Sequence, residues 1–134
     1  MSILKDPMHP GEVLKELYLD GIDCDRWNRL HPDTEPRDPW VRSSLADTDG
    51  VYVIAYDYVK ALPQSIGRWF PSPPAALGTD GFGRSESRAA LRRFFEVDAA
   101  SIVVATLDAL SREGKVDREV VQDGNLIITI GLTP

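Results

Sequence analysis

Val51-Tyr52-Val53-Ile54-Ala55 constrains this chain more than any other stretch, because it is apolar at every position and follows the Asp49-Gly50 turn signal. A strand with no polar side must be covered on both faces, as in a parallel sheet sandwiched between helices. Helical patterns surround it. Val13, Leu14, Leu17 and Tyr18 recur at helical spacing after Pro10 and Glu12, with Gly21 as the expected stop. Asp57 is expected to cap a helix from Tyr58 carrying Val59, Leu62, Ile66 and Phe70, in which Pro63 marks a kink or the start of the real body. Ala75–Gly78 reads as a second strand, Ser85 as the N-cap of a helix through Phe95, and Asp98 as the cap of a helix ending at Gly114. Asp117 opens a last short helix, and Asp123-Gly124 turns the chain into a final apolar strand, Leu126–Ile130. Strands alternating with helices predict an α/β layered fold of about one domain at 134 residues. Between Asp23 and Asp49, three prolines and the spaced Trp27 and Trp40 predict an ordered irregular segment anchored by the tryptophans.

Charge and composition narrow the function. Twenty-one acidic side chains against 15 basic ones give a net charge of −6, which argues against general nucleic-acid binding. No apolar run approaches the length of a membrane span, so no membrane is expected, and the cytoplasm is the expected location. Cys24 is alone, which leaves no internal disulfide and no cysteine-based metal site. His9 and His31 lack ligand partners at metal spacing, and Ser43 and Ser44 lack the companions of a nucleophile. No catalytic residue and no metal site are expected. Asp20, Asp23 and Asp25 form an acidic cluster, readable as a solvated face or a cation site.

One segment is loop-like enough to meet a ligand or a partner. Gly78, Thr79, Asp80, Gly81, Gly83, Arg84 and Ser85, together with Arg88, form a glycine-rich turn between a strand and a helix. It matches neither the dinucleotide fingerprint nor the phosphate-binding P-loop, and Asp80 is expected to repel a phosphate. It is either an anionic-ligand or interface loop or a structural turn. Arg84, Arg88 and Arg92 recur every four residues, giving one basic stripe that either pairs with surface acids or contacts an anion or partner.

Four strings also resemble a known family in order and spacing. They are Asp25-Arg26-Trp27-Asn28-Arg29-Leu30-His31-Pro32, Asp57-Tyr58-Val59-Lys60, Leu77 through Arg88 with its Gly78-Thr79-Asp80-Gly81-Phe82-Gly83 loop, and Leu91 through Asp98. Together they resemble the C-terminal domain of the homodimeric-type pyruvate dehydrogenase decarboxylating component. The resemblance implies a transketolase C-terminal-like fold, a mixed, mostly parallel sheet with helices on both faces, incomplete at its N-terminal side. It also implies that thiamine diphosphate and magnesium, used by the complete enzyme to decarboxylate pyruvate and pass acetyl to a lipoyl arm, belong to domains outside this sequence. No cofactor is therefore expected for this chain alone. Residues 1–22 are expected to form a helical segment largely outside the resemblance, 23–122 the family-like region, and 123–134 a divergent tail with a strand. Phe94 stands where the family commonly has histidine. Met8-His9-Pro10-Gly11-Glu12-Val13-Leu14 separately resembles the opening of some helix-turn-helix antitoxins, which leaves a small regulatory module as an alternative. An incomplete sheet exposes an edge and an apolar face, so a homo-oligomer or a subunit of the pyruvate dehydrogenase complex is expected.

Overall fold

The computed structural model describes residues 9–130, except for the side chains of 10, 11 and 125–130. Met8 and residues 131–134 of the tail lie outside the described residues. In chain order the elements are α1 (Pro10–Leu30), α2 (Trp40–Leu45), β1 (Val53–Tyr56), α3 (Ala61–Gly67), β2 (Ala75–Gly78), α4 (Arg88–Phe94), α5 (Ala99–Arg112) and α6 (Arg118–Ile130). The protein is mixed α/β, as its pattern predicts, with a two-stranded sheet accompanied by helices. Contacts divide the described residues into two units, 9–48 with 65–71, and 49–64 with 72–130.

In the first unit α1 runs straight through Gly21, which was expected to stop it. The cause is Trp69. A Cβ at Gly21 would collide with the Trp69 indole, so glycine serves close approach here rather than termination. Trp69 is 2% exposed, meets Tyr18 edge-on at 5.7 Å between ring centroids, and donates its indole N–H to Asp25 Oδ2 at 3.2 Å. Arg68 pairs with the same carboxylate oxygen at 2.8 Å. Asp20 accepts the Trp40 backbone N–H at 2.7 Å, so two members of the acidic cluster fasten local structure.

The segment expected to be irregular is helical to Leu30, and irregular over residues 31–39. Asn28 clamps that turn by accepting the Arg37 N–H (2.7 Å) and donating to the Arg37 carbonyl (2.9 Å). Trp27 lies between the Arg37 guanidinium, 4.0 Å from the ring centroid, and the stacked His31 ring at 4.4 Å. Trp40 is 62% exposed, so the anchors of this unit are Trp27 and Trp69. Because α1 is a single unbroken helix, the tight turn that a helix-turn-helix needs does not follow Leu14.

In the second unit β1 and β2 pair in parallel, with Val53 opposite Ala75 and Tyr56 opposite Gly78. Parallel strands require a crossover, and α3 lies in that connection, beginning in the second unit and ending in the first. Pro63 sits in the first turn of α3, where the missing N–H has no helical acceptor to lose. Asp57 does not cap this helix. Residues 57–60 are instead tied to the end of β2 by bonds described below, which delays the helix to Ala61.

The α5 helix packs against both strands, and α6 packs on α5. Asp98 caps α5 as predicted. Its Oδ1 accepts the Ser101 N–H at 2.9 Å and the Ser101 O–H at 2.7 Å, which holds the Asp98 carboxyl below its ordinary value. At the other end Gly114 takes a φ of 71°, and the Lys115 N–H reaches back to the Leu110 carbonyl at 2.9 Å. Glu96 ends α4 in the same left-handed manner at φ 56°, with the Val97 N–H on the Arg92 carbonyl.

The expected strand Leu126–Ile130 is helix. Gly124 lies inside α6, and a Cβ there would come within 3.1 Å of Leu107 Cδ1 on α5. Packing on α5 thus keeps the helix going through a β-branched run whose length alone fits either state.

Candidate functional site

The glycine loop leaves the C-terminal end of β2, beside the C-terminal end of β1. In parallel sheets this is the edge where ligands gather, since the loops there are free to vary on a fixed frame. Gly78 makes the junction possible. A Cβ on it would lie 2.6 Å from the Tyr58 carbonyl oxygen and 2.8 Å from Lys60 Cγ. With that close approach, Thr79 joins the two strand ends by donating its N–H to Tyr58 O (2.9 Å) and its hydroxyl to Asp57 O (2.8 Å). Lys60 then holds Asp80 twice, by its backbone N–H on Oδ1 at 2.9 Å and its ammonium on Oδ2 at 3.1 Å. Those bonds, the backbone one foremost, hold the Asp80 carboxyl below its ordinary value.

Beyond this knot lies a pocket of about 310 Å³. Thr79, Gly81, Gly83, Arg84 and Arg88 line it, so five of the eight residues singled out in the sequence come together. The other three do not. Gly78, which is buried, and Ser85, which is exposed, are not part of the lining, and Asp80 is paired with Lys60. Asp80, expected to repel a phosphate, is paired with Lys60 and is not part of the lining. Ser85 is not the helix cap either. Ser87 fills that role by accepting the Ala90 N–H at 3.3 Å, and α4 begins at Arg88.

Asp57, Leu91, Arg92, Phe95 and Val97 complete the lining. Arg92 stands out in the sequence through the basic stripe and Asp57 as an expected helix cap, while Leu91, Phe95 and Val97, like Asp57, belong to the strings that carry the family resemblance but show no sign of a site. The stripe is not one helical row, since Arg84 precedes α4, yet all three arginines reach the pocket. Arg92 pairs with Asp57 at 3.5 Å. The Arg84 guanidinium lies 4.2 Å over the Phe94 ring. The lining thus holds three arginines and one carboxylate, together with the apolar Leu91, Phe95 and Val97. Phe82, between Gly81 and Gly83, is 97% exposed.

Elsewhere, burial raises the Cys24 thiol above its ordinary value, and Asp49 and Glu113 raise the Lys115 ammonium. Among the described residues no three His, Cys, Asp or Glu side chains converge on one point. No helix among them is long and apolar enough to cross a membrane.

No family model matches the chain. Its similarity is to individual proteins. The pyruvate dehydrogenase E1 component of Pseudomonas aeruginosa is 42% identical over 120 residues, which is 89% of this chain and 13% of that protein. The E1 component of Escherichia coli K12 is 45% identical over 109 residues, covering 81% of this chain and 12% of the relative. That of Haemophilus influenzae is 50% identical, with the same coverage. The chain therefore spans about 12% of the length of the curated relatives it matches. Identity at this level over about 80% of its residues makes the chain a homologue of the C-terminal region of pyruvate dehydrogenase E1 component.

Proposed function

We propose that this chain is a noncatalytic relative of the pyruvate dehydrogenase decarboxylating component that acts in the cytoplasm by assembly, first with a second copy of itself. The observation that carries the reading is how little of the second unit is covered. Neither α4 nor α5 has a fully buried residue, and no residue of β1 is fully buried. Phe94, Val103 and Val120 are 55%, 54% and 46% exposed. An amphipathic helix and an apolar strand gain their stability from cover, at roughly 25 cal/mol per Å² of apolar surface removed from water. A second polypeptide supplies that cover in this reading.

In this reading residues 23–122 are the body of the family-like region; the similarity to relatives extends over 109 to 120 residues, and α1 runs unbroken across 22–23 and α6 across 122–123. Oxidative decarboxylation of pyruvate with thiamine diphosphate and magnesium, and acetyl transfer to a lipoyl group, belong in this reading to the complete enzyme. The E1 component itself is the second partner, because the same surface is part of that larger protein.

The test is co-migration of the chain with the Haemophilus influenzae E1 component on a sizing column, alongside Val103→Asp and Val120→Asp variants. Both positions are exposed, so the variants keep the fold. Association of the wild-type chain, lost in the variants, supports the reading. A wild-type chain that elutes as a monomer and ignores the E1 component overturns it.

A further inference from the structure

Independently of assembly, we propose that the pocket at the C-terminal ends of β1 and β2 binds a small organic dianion with a short apolar body. Its volume, about 310 Å³, is that of a small-molecule site. Its charge is opposite to that of the chain, which carries −6 overall. Among its lining residues three arginines, Arg84, Arg88 and Arg92, stand against one carboxylate, Asp57, which pairs with Arg92. Neither Asp80, which is held by Lys60, nor Glu86 is part of the lining.

The Arg88 side chain, which is exposed, makes no ion pair or hydrogen bond among the described residues, so its planar fork of donors is available for a carboxylate or phosphate group. An inorganic ion would satisfy the charge but not the wall of Leu91, Phe95 and Val97, which gives an apolar body a place to be buried. A ligand with both parts uses everything the pocket presents. Arg84 comes from the loop, Arg88, Leu91 and Arg92 from α4, and Phe95 and Val97 from the residues that follow it, while the bonds of Thr79 hold the loop to the strand ends.

The probe is n-butyl phosphate, titrated into the full chain by calorimetry and by amide NMR, with inorganic phosphate and butanol as its two halves. Butyl phosphate is expected to saturate in the millimolar range or below, several-fold tighter than inorganic phosphate, and to shift the Thr79 and Leu91 amides. Butanol is expected not to saturate. Arg88→Ala removes an exposed, unpaired side chain, leaves the thermal midpoint unchanged, and lowers affinity ~10-fold, the usual worth of a charge-assisted contact. Gly83→Glu is the second variant. A Cβ at Gly83 meets nothing within 4 Å, so the fold holds while a carboxylate enters the pocket wall and abolishes binding. The proposal is overturned if butyl phosphate binds no tighter than inorganic phosphate, if both variants bind like wild type, or if nothing saturates.

Discussion

Replacing Gly78 with alanine tests the knot on which the pocket is built. The new Cβ would stand 2.6 Å from the Tyr58 carbonyl oxygen, 2.8 Å from Lys60 Cγ and 3.1 Å from the Lys60 backbone nitrogen. Carbon and carbonyl oxygen ordinarily approach no nearer than about 3.3 Å, so the two strand ends must separate by roughly 0.7 Å. The obstacle is backbone, which cannot swing aside as the end of a side chain would. Separation strains the Thr79 N–H bond to Tyr58 O, now 2.9 Å. Overpacking of this kind costs about 1–3 kcal/mol, and the weakened hydrogen bond about 1 more. Alanine recovers about 0.5–1 kcal/mol by restricting the unfolded chain. The net loss is about 2 kcal/mol, which lowers the urea midpoint by about 1 M at a slope of roughly 2 kcal/mol/M. Far-UV circular dichroism, with amide NMR at Lys60 and Thr79, reads the transition, because all three tryptophans lie in the other unit. Gly83→Ala is the control, since its Cβ meets nothing, and it should stay within about 0.5 kcal/mol of wild type. If Gly78→Ala and Gly83→Ala unfold at the same urea concentration, the close-approach argument is refuted.

Trp69→Ala should cost about 3–5 kcal/mol in urea unfolding, because it empties the most buried aromatic site of the first unit; a loss below 1 kcal/mol would contradict its role as an anchor. Glu96→Gly should stabilise the protein by about 0.5–1 kcal/mol, since glycine adopts φ 56° without strain, and an unchanged melting temperature would count against that. Asp98→Ala should cost about 1 kcal/mol at neutral pH. The folded carboxyl is depressed, so its contribution is fully present above the unfolded value near 3.8 and is lost as pH falls through the folded value; the gap between wild type and variant should close in acid, as paired denaturation curves would show. Cys24, buried with its thiol raised, should react with a disulfide reagent only as fast as the first unit opens, and fast labelling of the native chain would refute its burial.

The sequence announces what depends on local chemistry and hides what depends on packing. Asp98 and Gly114 bound α5 as read, since a capping carboxylate and a left-handed glycine act within one turn. Ala75–Gly78 is the strand expected, and β1 begins two residues later than its apolar run. Gly21 and Gly124 mislead for one shared reason. Both look like punctuation, yet each is the place where a helix lets a bulky neighbour close in, Trp69 in one case and Leu107 in the other. Nothing in single-chain spacing distinguishes a glycine that ends a helix from one that makes room. The pocket was half legible. Its loop and arginines stand out in the sequence, but the hold of Lys60 on Asp80 and the pairing of Arg92 with Asp57 join residues 20 or more positions apart. Only the parallel pairing of β1 and β2 brings them together.

Assembly is the central claim, and the mass of the chain in solution tests it most directly. Sedimentation equilibrium across a range of protein concentrations should give a species of at least twice 14.9 kDa that dissociates on dilution. A cooperatively folded chain that sediments at 14.9 kDa at every concentration would contradict the account.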